Sequence, residues 1–277
     1  MKRTAISIGK FIIPVLVFAM LYSCKDEAQP TDNDGNDTTA VNDVVTDDLT
    51  DYKFPSPVEV YIFLWEDDVK FDGTLMNSTD KIGAYVTTDK KALNFGIYSS
   101  DLAYCTVNGK NQETFNYFTT AKQLADEMGL MEGFDEDMVK RIDQNIGNAD
   151  SLYKFSTESY SLAINYLESI EQDNLLPYIV TGGWIESLYI AVNSIKKYSP
   201  ENSTVMRVAE QQLVLDNLVE YMKSLEGDAQ LNAILEKLLD IQSSYDKLYD
   251  NVDVIITEGQ FKEIAQKVNA FRNEITK

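Results

Sequence analysis

Hydrophobic positions along this chain recur at helical spacing from residue 56 to the C-terminus, and nowhere in the second half do they alternate as strand residues do. Ser56-Pro57-Val58-Glu59 reads as a capping box with proline at the first helical position, opening a short helix Val58–Trp65. The Val, Tyr, Ile, Phe and Trp content of that run also suits a strand, and the cap decides for a helix. Residues 67–80 are turn-rich. Thr88 to about Val107 predicts a helix apolar on most faces, hence central, with a small-residue stripe of Ala92, Gly96, Ser99, Ser100 and Ala103 that admits a close neighbour. Phe115, Phe118, Ala121, Leu124, Ala125 and Met128 keep a 3.6-residue period that Gly129 stops.

Asp135-Glu136-Asp137 begins another helix that ends near Gly147, its carboxylates complementing the helix dipole rather than holding a metal. Asn148 or Asp150 caps a long helix to about Gln172, and Pro177 opens one to about Tyr198. Three more close the chain: about Glu201–Glu226; one capped by Asp228 carrying Leu231, Ile234, Leu238, Ile241, Tyr245 and Leu248; and one opened by the capping box Thr257-Glu258-Gly259-Gln260. The expectation is an all-α domain over residues 56–277, an antiparallel bundle or stacked hairpins of about seven to nine helices. Phe118-x-x-Ala121 faintly suggests a tetratricopeptide unit, but nothing recurs at that period and no repeat is assigned.

Residues 1–55 have a different character. Lys2, Arg3 and Lys10 precede an uncharged run from Phe11 to Tyr22, the layout of a secretory signal peptide, too short for a span and interrupted by Pro14. Leu21-Tyr22-Ser23-Cys24 then resembles the lipobox of bacterial lipoproteins, with Tyr22 where that family usually has a small residue. The resemblance implies removal of residues 1–23, acylation of Cys24 with palmitate-like chains on its sulfur and new amine, and membrane attachment through that anchor. Lys25-Asp26-Glu27 resembles the short charged signal that sends Bacteroidota-type lipoproteins to the outer face of the outer membrane. The resemblance covers about 27 residues and does not extend to the domain that follows. From Lys25 to Asp51 there are nine acidic residues and one lysine with almost nothing to bury, so 24–55 reads as lipidated cysteine plus solvated tether. Asp32-Asn33-Asp34-Gly35-Asn36-Asp37 imitates a calcium loop, but its glycine stands fourth rather than sixth and position twelve is Asp43, so it too reads as spacer.

Charge narrows the candidates. The chain carries 24 basic and 45 acidic residues, and loss of residues 1–23 would move the net charge from −21 to −24. Nucleic acid as a partner is disfavoured by that sign; divalent cations and basic partners are permitted. With no histidine anywhere, Ser-His-Asp and Cys-His nucleophiles and histidine metal sites are excluded. Cys105, alone once Cys24 is acylated, reads as a small buried hydrophobe. No motif asks for a cofactor or resident metal.

One internal stretch stands out, Thr181-Gly182-Gly183-Trp184-Ile185-Glu186. Two glycines cost about 1 kcal/mol each inside a helix, so something must compensate. They could admit a crossing helix, break the helix, or floor a pocket beside Trp184. Glu186 sits among apolar residues, where an unpaired carboxylate is costly; either it is bonded to a Lys, a Tyr or backbone, or Gly182, Gly183, Trp184 and Glu186 line a ligand site. Two functions follow. A lipid-anchored envelope protein acting as a non-catalytic helical interaction module, or as an accessory subunit of an envelope complex, needs no catalytic residue. A glycan-binding or glycan-processing surface protein would use aromatics and paired carboxylates, which require no histidine.

Overall fold

The computed structural model describes residues 56–130, 166–167, 169, 173–225, 229–251 and 255–277. The expected leader, Cys24, tether and Asp135–Asp137 helix, and most of the helix over 148–172, lie outside them. The described residues form seven α-helices: α1 (Val58–Glu66), α2 (Thr88–Val107), α3 (Asn111–Glu127), α4 (Leu176–Ser194), α5 (Ser203–Ser224), α6 (Ala229–Tyr245) and α7 (Glu258–Ile275). Tyr166, Leu167 and Ser169 are also helical, short 3₁₀ turns punctuate the connections, and no strand occurs among the described residues. The expected all-α helical bundle is what the chain builds.

Local chemistry explains most of the helix ends. Gly129 adopts φ +76°, and the N–H of Leu130 donates to the Ala125 carbonyl at 2.8 Å, the Schellman closure that ends α3. Before α7 both halves of the capping box form: Gln260 N–H donates to Thr257 Oγ1 at 3.3 Å, and Thr257 N–H to Gln260 Oε1 at 2.9 Å. Two ends differ from expectation. At α1, Pro57 rather than Ser56 precedes the helix; the N–H of Val58 donates to Ser56 Oγ at 3.5 Å and that of Glu59 to the Ser56 backbone carbonyl at 3.0 Å. Helix α4 stops at Ser194, about four residues early. Asn193 and Ser194 turn their side chains back onto the carbonyls of Tyr189 and Ile190, and the Tyr198 hydroxyl donates to the Ile256 carbonyl, which draws the following segment away from the axis.

The core is arranged around α4. It touches α1, α2, α5 and α7 and buries residues on every side, from Leu176 through Trp184 to Val192. Its contact with α2 is the most extensive in the structure. There the two backbones meet without side chains between them. A Cβ on Gly182 would lie 1.9 Å from the Leu93 carbonyl oxygen, and one on Gly96 would lie 2.1 Å from the Ile179 carbonyl oxygen. The Cα–H groups of the glycines therefore face those oxygens, a reciprocal pair of weak hydrogen bonds worth about 0.5–1 kcal/mol each. The glycines leave α4 unbroken. The two helices run in the same sense, since Gly96 meets Gly183, Asp101 meets Glu186 further on, and Tyr104 shares a cluster with Ile190 beyond that. Chain neighbours α2 and α3, joined by three residues with Gly109 at φ +64°, fold back on each other.

One large hydrophobic cluster joins α2 through α7, and a smaller one seats Val58, Tyr61 and Leu64 of α1 on Tyr104, Val107 and Ile190. Among the described residues no helix is long and apolar enough to cross a membrane.

Alanine at Gly182 and at Gly259 should act in opposite directions. Gly259 lies in α7 with ordinary φ and open space around its Cβ position, so Gly259→Ala gains about 0.5–1 kcal/mol. Gly182→Ala drives a methyl into backbone and loses about 1–3 kcal/mol or more. Urea denaturation of the two variants decides; a Gly182→Ala protein as stable as wild type would sink the close-contact account.

Candidate functional site

The glycine contact determines what lies beside it. Further along both helices from Gly96 and Gly183, α2 presents Asp101 and α4 presents Glu186, both wholly buried. Glu186 is met by Arg272 of α7 in a two-pronged pair, Nε to Oε2 at 2.8 Å and Nη2 to Oε1 at 2.9 Å. The same guanidinium lies over the Tyr189 ring at 4.4 Å and donates from Nη2 to the Leu75 carbonyl at 3.3 Å. Of the partners expected from sequence (a lysine, a tyrosine or backbone) none holds Glu186; an arginine does.

The Asp101 carboxyl lies beside that of Glu186. Its Oδ2 accepts the Asn77 N–H at 3.0 Å, and its Oδ1 has no donor facing it among the described residues. Burial pushes both carboxyls upward, and the charge of Glu186 pushes Asp101 further. At Glu186 the bonds and charge of Arg272 work the other way. Two acids and one guanidinium thus share a sealed space, where burial opposes ionisation of both carboxyls and Arg272 favours it at Glu186.

Around them is a ring of tyrosines. Tyr61 and Ser100 share a hydroxyl–hydroxyl bond of 2.6 Å. The Tyr98 hydroxyl donates to the Ser78 carbonyl and that of Tyr117 to the Asn77 carbonyl, each at 2.8 Å; Tyr104 accepts the Asp72 N–H at 2.9 Å. Asn77 Nδ2 donates to Tyr85 at 3.0 Å. Every one of these bonds but the first fastens the segment 72–85. Nearby, the buried Cys105 thiol donates to the Met76 thioether at 3.3 Å, and burial pushes the thiol well above its ordinary range.

Gly182 and Gly183 are occupied by the crossing, with Leu93 backbone against the first and Pro57 Cγ 3.2 Å from a Cβ on the second. Trp184 is 5% exposed, and its indole N–H has no partner among the described residues. The four residues flagged from sequence are thus brought together, inside the helix packing. A surface cleft of about 250 Å³ lies instead between α6 and α7 and is lined by Lys237, Asp240, Lys267, Phe271 and Glu274. Its charges are engaged with one another, Lys237 with Glu274 at 2.7 Å and Lys267 with Asp240 at 2.9 Å. No group of three or more acids or cysteines among the described residues is placed to hold a metal ion.

Chemically, an acid–carboxylate pair under an arginine can store a proton and fix the register of three helices. Glycoside cleavage needs two carboxyls on either side of an accessible bond, about 5–9.5 Å apart; these two touch each other and reach no solvent. Sequence reasoning missed Asp101 and Arg272. A signal for each was present: an acid within the apolar run of α2, and a base between Phe271 and Ile275 on the inward face of α7. Compared with protein-family models, with curated proteins and with solved structures, the chain gives no match.

Removing the guanidinium strands a buried anion. Arg272→Met should cost about 3–5 kcal/mol at pH 7. Part of that loss should return as pH falls toward 5, because protonation of Glu186 relieves the uncompensated charge, its carboxyl being raised by burial once the opposing bonds and charge of Arg272 are gone. Denaturation of wild type and variant at both pH values checks this; a loss under about 1 kcal/mol, or one independent of pH, would mean the pair bears little of the fold.

Proposed function

We propose that this chain is a lipoprotein of the bacterial cell envelope, anchored in the outer membrane through acyl groups on Cys24. Its helical domain serves at the cell surface as a non-catalytic binding or interaction module, or as an accessory subunit of an envelope complex. The observation that carries the reading is the run from Lys2 to Cys24: a basic start, a short apolar stretch, and a cysteine after Leu21-Tyr22-Ser23. Several acyl chains on one residue hold a protein to a bilayer, where a single chain does so only marginally. Lys25-Asp26-Glu27 supports the surface destination, and the acidic stretch to Asp51 would hold the domain off the membrane on a spacer of roughly 30 Å, more if its charges extend it.

For the domain, support comes from the state of the residues that chemistry would have used. Trp184 and Glu186, the aromatic and acid that suggested a glycan pocket, are committed to packing and to Arg272, so no observation favours the glycan reading. The partner such a module takes is basic or bridged by divalent cations, given the acidity of the chain.

Growth of cells with an alkyne-tagged palmitate should label wild type, and the Cys24→Ala chain should be unlabelled and released from membranes. Absence of label in wild type, or label that survives the substitution, overturns the anchor. Mild crosslinking in the envelope should then recover one stoichiometric partner that is lost with Cys24→Ala; an uncrosslinked, folded wild-type protein would overturn the accessory-subunit reading.

A further inference from the structure

The segment Asp72–Tyr85 lies across α2, α3 and α7 as a strap. Most of it is exposed; its two buried side chains are Asn77 at 1% and Tyr85 at 2% exposure. Tyr85 and the partly buried Leu75, Met76 and Ile82 pack against the hydrophobic clusters, and a set of directional polar bonds fastens the segment alongside them. Those bonds come from Tyr98, Asp101 and Tyr104 of α2, Tyr117 of α3 and Arg272 of α7, while Lys81 of the strap reaches the Thr276 carbonyl at 3.0 Å. At the centre, Asn77 rests on Asp101 Oδ2; the other oxygen, Oδ1, has no donor among the described residues, and the carboxyl adjoins that of Glu186.

We propose that Asp101 and Glu186 share a single proton, and that this proton locks the strap Asp72–Tyr85 onto the helices, so that its loss in alkaline solution releases the strap. The geometry requires the proton. Two carboxylates in contact, both without solvent, would face one guanidinium that is already spent on Glu186. A proton on Asp101 Oδ1 turns the orphaned oxygen into a donor to Glu186 and leaves Oδ2 to accept the Asn77 N–H. Deprotonation sends that proton to solvent hydroxide, making water, and leaves two adjoining anions. Lifting Asn77 and Leu75 away is the shortest way to bring water to them.

The other groups facing the pair are Tyr61 from α1, Tyr98, Tyr104 and Cys105 from α2, Lys81 from the strap, Tyr117 from α3, and Arg272 from α7. Burial raises each of these tyrosines and the thiol above its ordinary range, so they stay neutral while the acid pair loses its proton. The direction of the effect follows from linkage. The closed form binds a proton that the open form gives up, so closure is favoured at low pH and weakens as pH rises above the ordinary aspartate range. This inference does not rest on the envelope reading.

The test is amide hydrogen exchange of the full chain between pH 6 and 10, corrected for the intrinsic rise of exchange with pH. The opening constant of strap amides, that of Asn77 above all, should grow by up to tenfold per pH unit in wild type, while amides of α4 stay protected. Asp101→Asn supplies the donor to Glu186 permanently and keeps an acceptor for Asn77, so its strap opening should be independent of pH. A pH-independent wild type, or the same slope in Asp101→Asn, overturns the proposal. If Asp101→Asn fails to fold, carboxyl ¹³C shifts of wild type at pH 7 decide: one neutral acid in the pair supports the lock, and two ionised carboxylates overturn it.

Discussion

The backbone contact between α2 and α4 is the constraint on which the rest depends. With Gly96 and Gly182 each facing a carbonyl oxygen of the other helix, the axes are closer than any side chain would permit. That approach gains reciprocal Cα–H contacts and dense packing, and it offsets the intrinsic cost of glycine within helices. It also has a consequence further along. Helices this close, running in the same sense, bring Asp101 and Glu186 together where no water enters. The acid pair follows from the glycine pair.

An arrangement of this kind is a weak source of stability and a strong source of register. Desolvating Glu186 and Arg272 costs as much as their attraction returns, so a well-packed apolar trio in their place would be about as stable. What the polar version adds is intolerance of misplacement. Arg272 reaches its carboxylate with two bonds, its third partner is the Leu75 carbonyl, and its ring partner is Tyr189. A shift of α7 by one residue would break all of these. The cluster thereby sets α2, α4, α7 and the strap against one another, which apolar contacts, being non-directional, specify less sharply.

This hierarchy explains which parts could be seen in the sequence. Helices were legible because each buries one face, and the repeat of Phe261, Ile264, Val268, Phe271 and Ile275 records that face directly. The Thr257–Gln260 box and Gly129 were legible because their bonds span three to five residues. The close crossing showed as two glycines with no reason to be in a helix, and Glu186 as an acid with no polar neighbour. Its partner did not show, since Arg272 is 86 residues away and nothing local announces which of 24 basic residues will arrive. The strap was legible only as turns; what fastens it comes from side chains of three helices, none within the reach of a local motif. At Ser56 the local signal marked the start of α1, with the side chain and the backbone carbonyl of Ser56 both taking first-turn N–H groups.

A fold that seals its acids, its arginine and its thiol in this way leaves its surroundings little but shape, charge and a few apolar tips. Trp65, Val86, Phe115, Met206, Leu213, Tyr249 and Ile255 are the large ones that stand out of the described surface. Exposed apolar side chains are in themselves ordinary on a folded protein. The net charge is not ordinary: at −21 it spreads a long-range field that disfavours nucleic acid and is compatible with basic or cation-bridged partners. Tethering changes how strong such contacts need to be. A domain held near a membrane meets membrane-bound partners at an effective concentration far above that of a free protein, so a contact too weak to survive in dilute solution is sufficient there. On the envelope reading proposed above, a rigid, acidic helical body on an anchored spacer would need no deep pocket to act. The interior, which carries most of the chemically distinctive residues, would then account for the shape of this protein, while its work would fall to the charge on its surface and the acyl chains on Cys24.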